Sequence, residues 1–340
     1  MREERFVLFR ELLNARHDRG VRVRVLTNTF DDERTCAGKV TPLGFLAMTA
    51  EVATFSTTTF QHAKSIVVDG KRTAISSVNW SRGSYLANRE AGVVLLSTEA
   101  AAFVTSVFEY DWKRATPWTP STDGIDEDDI RMMRNATRLE PFPVPSFNRS
   151  HYVPKRATYL ADVAVATSPD AGATVMREAL LSTRRSLRVY TYQITDVGIA
   201  DVILDLMRER NVSVSMVLSR AIYMDSDRKA STKVVEYMRD ITARENGTMT
   251  FRSSPHVFRY AHLKVLIVDD ERVVVATGNL SPSDLPWPIP RSFEPASVGG
   301  RSINRDFEVV IDDRRVANAF RLLFEGDSRD GTAYKPPTKF

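Results

Sequence analysis

Apolar positions recur along this chain with two periods, and the pair of periods occurs twice. Ile199, Val202, Ile203, Leu206 and Met207 fall at i, i+3, i+4, i+7 and i+8, one face of a helix. Val212, Val214, Met216 and Leu218 then alternate, as in a strand with one face turned inward. Near the start of the chain, the apolar residues among 6–13 predict another helix, Gly20 ends it, and Val21, Val23 and Val25 alternate behind it. A further helix is predicted around Val234, Tyr237, Met238 and Ile241. Residues 66–68, 93–95, 265–268, 273–275 and 309–311 are short, mostly β-branched runs, the pattern of strands buried on both faces. Helices alternating with such strands predict an α/β fold, with helices flanking a mixed sheet.

The second half restates the first. Residues 62–79 read HAKSIVVDGKRTAISSVN and residues 262–279 read HLKVLIVDDERVVVATGN, so His, Lys, Asp and Asn align at a constant offset of 200. Asn88-Arg89-Glu90 recurs as Asn304-Arg305-Asp306 at an offset of 216, which also carries Phe108-Glu109 onto Phe324-Glu325 and Asp111 onto Asp327. The difference of 16 residues is an insertion in the second copy, within the Pro-rich stretch 282–303.

Two similar lobes are therefore expected, related by a pseudo-twofold axis. The first spans 1–115, a Pro-rich and acidic linker 116–156, the second lobe 157–330, and a tail 331–340. The second copy has a strand at 163–167, a helix at 174–183 and a strand at 187–192 ahead of its helix at 199; the first has only 20 residues before Val21. The first lobe is thus expected to lack its opening strand–helix–strand, as in a truncated product.

Composition changes this picture little. The net charge of +4 is spread along 340 residues, with no polybasic arm to announce nucleic acid or a membrane surface. No apolar run reaches the roughly 18–20 residues of a membrane span. Residues 1–20 read as charged and amphipathic, unlike a secretory leader. Cys36 is the single cysteine, which excludes an intrachain disulfide and slightly favours a reducing, cytoplasmic compartment. No convincing metal cluster is visible, so neither metal nor other cofactor is expected.

The chemistry lies in the duplicated segment. Residues i and i+2 of a strand face the same way, so His62 and Lys64 project together, as do His262 and Lys264. A turn at Gly70 or Asp270 brings the next strand back and returns Asn79 and Asn279 towards their histidines. Two such strand pairs meeting at a twofold axis would gather His, Lys and Asn from both copies around one point. Those donors suit the non-bridging oxygens of a phosphodiester and the charge of its transition state.

The pattern HxK-x4-D-x6-(G/S)-(S/T)-x-N resembles the signature of the phospholipase D superfamily, here present twice. The resemblance implies a metal-independent phosphodiesterase working through a phosphohistidine, with His62 as nucleophile and His262 as acid. It implies that Lys64, Lys264, Asn79 and Asn279 hold phosphate, and that Glu90 and Asp306 orient histidine rings. Ser77 and Thr277 match its small hydroxyl position and are expected at the phosphate site, while Asp69 and Asp269 are expected to tie backbone at the turn. Trp80 is a candidate for the substrate channel, and the insert around Leu285, Trp287 and Phe293 for a lid or lipid-contacting loop. The family includes phospholipases, head-group transferases, cardiolipin synthases and nucleases. Phospholipid is the favoured substrate by elimination; an endonuclease and an inactive binding relative are the alternatives.

Overall fold

The computed structural model describes residues 7–28, 50–55, 57–119, 158–286 and 303–339, with Ala47 and Glu127 besides. The first copy contains α1 (Val7–Arg19), β1 (Arg24–Thr27), β2 (Glu51–Thr54), β3 (Phe60–Gln61), β4 (Ser65–Val68), β5 (Arg72–Ser76), α2 (Arg82–Leu86), β6 (Gly92–Leu95), α3 (Thr98–Trp112) and β7 (Thr116–Pro117). The second contains β8 (Asp162–Ser168), α4 (Gly172–Leu181), β9 (Ser186–Thr191), α5 (Val197–Arg210), β10 (Ser213–Leu218), α6 (Asp225–Arg244), β11 (Met249–Ser253), β12 (Lys264–Val268), β13 (Arg272–Ala276), β14 (Asn304–Asp312), α7 (Arg314–Asp330) and β15 (Thr332–Ala333).

Local chemistry explains where these elements begin and turn. Asp196 caps α5 by accepting from the Ile199 amide, and Asn211 closes the helix in the left-handed conformation at φ 52°. The β4–β5 hairpin turns on Asp69 and Gly70, and β12–β13 turns on Asp269 and Asp270; all four residues have positive φ. Two successive left-handed residues make a turn whose twist matches that of the flanking strands, which is why Asp and Gly stand there.

The second copy forms a mixed sheet ordered β15-β11-β10-β9-β12-β13-β14, with β8 also on β14. One face is sealed by α4, α5 and α6 through Met176, Leu180, Ile203, Leu206, Val234 and Met238. The opposite face receives α7 through Ala317, Leu323 and Phe324. The strands β12 and β13 are almost wholly buried, as their β-branched runs predict.

The first copy differs. Its strands lie in two separate sheets, β1-β2-β7 and β4-β5-β6. In the second copy β9 stands between β10 and β12; among the described residues no first-copy strand stands between β1 and β4. Asn28 bridges the gap at one end, donating to the Gln61 carbonyl at 2.8 Å and accepting from its amide at 2.6 Å. Arg24 on β1 is held by Glu109 on α3, with the Phe108 and Trp112 rings about its guanidinium.

Three expectations need correction here. The first-copy strands are not buried on both faces: Val68 is 47% and Val94 64% exposed, because no described element covers that side of β4-β5-β6. Thr116 and Pro117 pair with β2, so the start of the assigned linker belongs to the first lobe; most of the linker lies outside the described residues. The assigned tail is part of the second lobe, since β15 pairs with β11 and the Thr338 amide donates to the Arg220 carbonyl at 3.0 Å.

The two copies are joined in a crossed manner. The first-copy strand β3 adds in parallel to β14 of the second, and Arg89 bridges to Ala261. Ile75, Leu95 and Val104 of the first copy share a core with Phe307, Val309 and Ile311 of the second. Buried ion pairs repeat the crossing: Arg89 bonds Asp327 on α7 at 2.8 Å twice, and Arg305 bonds Asp111 on α3 at 2.9 and 3.0 Å.

Candidate active site

The seam between the copies carries both histidines. The His62 amide donates to the Arg305 carbonyl at 3.0 Å, and the His262 amide donates to the Arg89 carbonyl at 2.8 Å. Each histidine is therefore sewn, through its own backbone, to the residue preceding the other copy's carboxylate. That places Asp306 Oδ1 3.0 Å from His62 Nδ1, and Glu90 Oε2 3.0 Å from His262 Nδ1. Each carboxylate reaches across to the opposite histidine rather than to its own. The carboxylates thus engage Nδ1 of both rings and leave Nε2 as the other ring nitrogen, which in His262 lies 3.0 Å from Lys264 Nζ.

Ser77 and Thr277 hold these carboxylates. Ser77 Oγ donates to Glu90 Oε2 at 2.5 Å and Thr277 Oγ1 donates to Asp306 Oδ1 at 2.6 Å. Both residues are fully buried, so their expected role at the phosphate is corrected: their hydroxyls are spent on the acids behind the histidines. Asp269 accepts from the Arg184, Arg185 and Ser186 amides at 2.9, 2.7 and 2.9 Å, tying the entry of β9 to the β12–β13 turn. Asp69 is exposed at the equivalent turn. Asn79 is exposed, whereas Asn279 keeps a buried Oδ1 with no hydrogen-bond partner. Trp80 is half-buried. Leu285, proposed for a lipid-contacting loop, lies in the core at 1% exposure, while Trp287 and Phe293 fall outside the described residues.

The lysines sit beneath the histidines. Lys64 Nζ donates to the His62 carbonyl, and Lys264 Nζ donates to the His262 carbonyl at 2.7 Å while lying 3.0 Å from His262 Nε2. Burial lowers Lys64 to about 8 against the pull of Asp306, Asp284 and Glu90. Burial, helped by the Lys64 charge, lowers Lys264 to about 7. Burial and the neighbouring Lys264 lower His262 to about 4, although Glu90 opposes them. Burial also raises Asp306. These mutual influences make the two copies' groups one electrostatic centre.

Sequence reasoning missed Asp284. It is 1% exposed, and its Oδ1 lies 3.6 Å from His62 Nδ1. The Asn279 amide donates to its Oδ2 at 2.6 Å and Asn304 Nδ2 to its Oδ1 at 2.5 Å. Burial pushes this carboxyl up, but the His62 charge and these donors together bring it below its ordinary value. Tyr192 was missed too; its ring packs edge-on to His262 at 5.0 Å. Folding also gathers a set that no local spacing reveals: donor atoms of His62, Asp284 and Asp306 lie within 4.8 Å of one another and could hold a cation. Lys64 already supplies positive charge to both carboxylates.

The two copied lobes bring their motif histidines to one seam, each backed by the other copy's carboxylate. The family described as "Cardiolipin synthase, PLD-like domain" matches residues 5–112 and 176–328. This chain belongs to the phospholipase D superfamily. A phosphatidylserine synthase from Haemophilus influenzae Rd KW20 superposes with a TM-score of 0.57 at 14% identity, over 84% of this chain and 67% of that one, and shares the fold. Nuc from Salmonella typhimurium, a phospholipase D family member, matches with a TM-score of 0.40 at 22% identity, over 52% of this chain and 99% of its own. NucT from Helicobacter pylori gives 0.39 at 16% identity, over 52% and 100%. No curated protein matches this chain.

Proposed function

We propose that this protein is a phosphodiesterase of the phospholipase D type, acting on a phospholipid through a phosphohistidine. The observation that carries this reading is the crossed pair of carboxylate-backed imidazoles, His62–Asp306 and His262–Glu90, each from a different copy. A carboxylate on Nδ1 fixes the tautomer that leaves a lone pair on Nε2. One ring attacks phosphorus; the other gives a proton to the departing alkoxide and then takes one from water or an alcohol. Lys64 and Lys264, with Asn79 and Asn279, supply the donors for the non-bridging oxygens. No step calls for an ion. The lipid preference rests on the description of the matching family and on the scattered basic charge.

The test is incubation with phosphatidylcholine vesicles and a primary alcohol, and separately with single-stranded DNA, both in EDTA. Phosphatidyl-alcohol formation that His62→Ala and His262→Ala each abolish is the expected result. Cleavage of DNA alone would replace the lipid reading by a nuclease, and full turnover in either variant would remove the mechanism.

A further inference from the structure

The first copy presents three strand edges whose counterparts in the second copy are paired. Among the described residues β1 pairs only with β2, and β4 and β6 pair only with β5. The counterparts are β10, β12 and β14. In the second copy β9 runs between the first two, parallel to β10 and antiparallel to β12, and β8 lies antiparallel on the third. Helix α4 joins β8 to β9, and its Met176 and Leu180 share a core with Val268, Val274 and Val310 of the sheet.

The frame that surrounds β9 is kept in the first copy. The Phe55 amide donates to the Thr27 carbonyl at 2.7 Å, as the Ser254 amide donates to the Leu218 carbonyl at 2.8 Å. One residue on, the Gln61 amide donates to the Asn28 side chain at 2.6 Å, as the Ala261 amide donates to Ser219 Oγ at 3.1 Å. In the second copy β9 ends beside this tie: its Thr191 carbonyl accepts from the Ser219 amide, and the Tyr192 amide donates to the Leu263 carbonyl, both at 3.2 Å. The ends of β1 and β4 are thus tied as those of β10 and β12 are tied about β9. The side chains agree. All five residues of β12 are buried and none of β4 is. Val68 and Val94, which correspond to Val268 and Val310, are 47% and 64% exposed. Tyr192 packs edge-on to Tyr260 at 5.9 Å, whereas Phe60, the counterpart of Tyr260, is 39% exposed.

We propose that the first lobe is a docking surface for a strand–helix–strand segment of a second polypeptide, patterned like residues 162–191. The first strand of that segment adds antiparallel to β6. Its helix lays an apolar face over Val68, Ala74 and Val94. Its second strand enters between β1 and β4 and ends in an aromatic residue against Phe60. Open edges take up a strand through main-chain hydrogen bonds, and the apolar face selects the side chains that come with it. Alternation along the strands names the groups. The Asp269 amide donates to the Ser186 carbonyl of β9 at 2.9 Å, so its counterpart Asp69, and with it Val67 and Ser65, turn their amides to the groove. The Ser219 amide likewise assigns Asn28, Leu26 and Arg24 on β1. A second copy of this chain does not fit the role, since its β8, α4 and β9 are built into its own sheet and core. The occupant would complete the sheet in which β4 follows directly on His62 and Lys64.

Hydrogen exchange read residue by residue tests this, with the full chain and a synthetic peptide of its residues 158–196 as the probe. In the chain alone the Leu26, Ser65 and Val67 amides should exchange at least about tenfold faster than those of Val265 and Ile267. Excess peptide should slow them at least about tenfold, and a peptide of the same composition in scrambled order should not. Val94→Lys should leave the thermal midpoint of the chain unchanged and abolish the response to peptide. Slow exchange of these amides in the chain alone, or a midpoint lowered by Val94→Lys, would show that the chain's own residues already cover the surface. Protection that rises with protein concentration would assign it to a second copy. Exchange indifferent to the peptide would show that the groove does not accept such a unit. Each of these results overturns the proposal, and none bears on the phosphodiesterase reading.

Discussion

Replacing Arg305 by Leu attacks the seam without touching either histidine. The guanidinium makes two parallel bonds to Asp111 at 2.9 and 3.0 Å, donates to the Ser168 carbonyl at 3.1 Å, and reaches Asp170 at 2.6 Å. Its side chain is 5% exposed and that of Asp111 1%, so water cannot replace what is lost. Burial already pushes the Asp111 carboxyl up, and the guanidinium is the main group that opposes this, with a smaller contribution from Thr57. Without the guanidinium the carboxylate loses its only cationic partner among these contacts. Breaking such a pair from one side costs about 3–5 kcal/mol, most of it the desolvated charge left behind. The sign of the pH dependence follows. An unpaired buried Asp111 has its folded-state pKa above the unfolded value, so its penalty grows as pH rises through that interval and shrinks in acid. Urea denaturation of Arg305→Leu should show a deficit of about 3–5 kcal/mol at neutral pH, smaller at about pH 5, and Arg305→Leu/Asp111→Leu should recover more than half of it. A deficit under about 1 kcal/mol, or a double variant no better than the single, would refute the claim that this crossing pair is desolvated and coupled.

Lys264 shows the opposite balance. Its ammonium is fully buried and pushed down to about 7, so Lys264→Met should raise the unfolding free energy at neutral pH by about 1–3 kcal/mol, while abolishing diester turnover; loss of stability would contradict the burial penalty. For the same reason the affinity for a diester should weaken as pH climbs through about 7 to 8, where Lys264 and then Lys64 lose their protons; a KM flat across pH 6–9, roughly one unit beyond either value, would count against their role. Gly278 has no room for a side chain: a Cβ there would meet Asp284 Cβ and Asp306 Cγ at 2.8 Å each. Gly278→Ala should therefore displace both acids behind His62 and cost at least about tenfold in turnover with little change in fold by circular dichroism; an unimpaired variant would show that their placement is not critical.

The elements that sequence reasoning located best are those governed by near neighbours. The helix at Val197–Arg210 and the strands β10, β12 and β13 follow from apolar spacing, and the turns from Asp and Gly at left-handed positions. Burial of the first-copy strands was misjudged, because β-branched runs look alike whether or not a helix covers them; Val94 and Val310 correspond at the offset of 216, yet one is 64% exposed and the other 8%. Asp284 was overlooked because it lies in an insert read as loop. The mismatch of Ser84 with Asp284, five residues past the motif asparagines, was the available signal.

From its order of residues alone, this chain declares a doubled α/β architecture and a paired His-x-Lys motif, since strand period, turn chemistry and motif spacing act over a few neighbouring positions. Folding alone determined which carboxylate serves which imidazole, that two acids stand behind His62 and one behind His262, and that Ser77 and Thr277 face inward. Electrostatic partnership depends on distance through space and on exclusion of water. Both arise only when residues 172 or 244 positions apart are brought to hydrogen-bonding range across the seam.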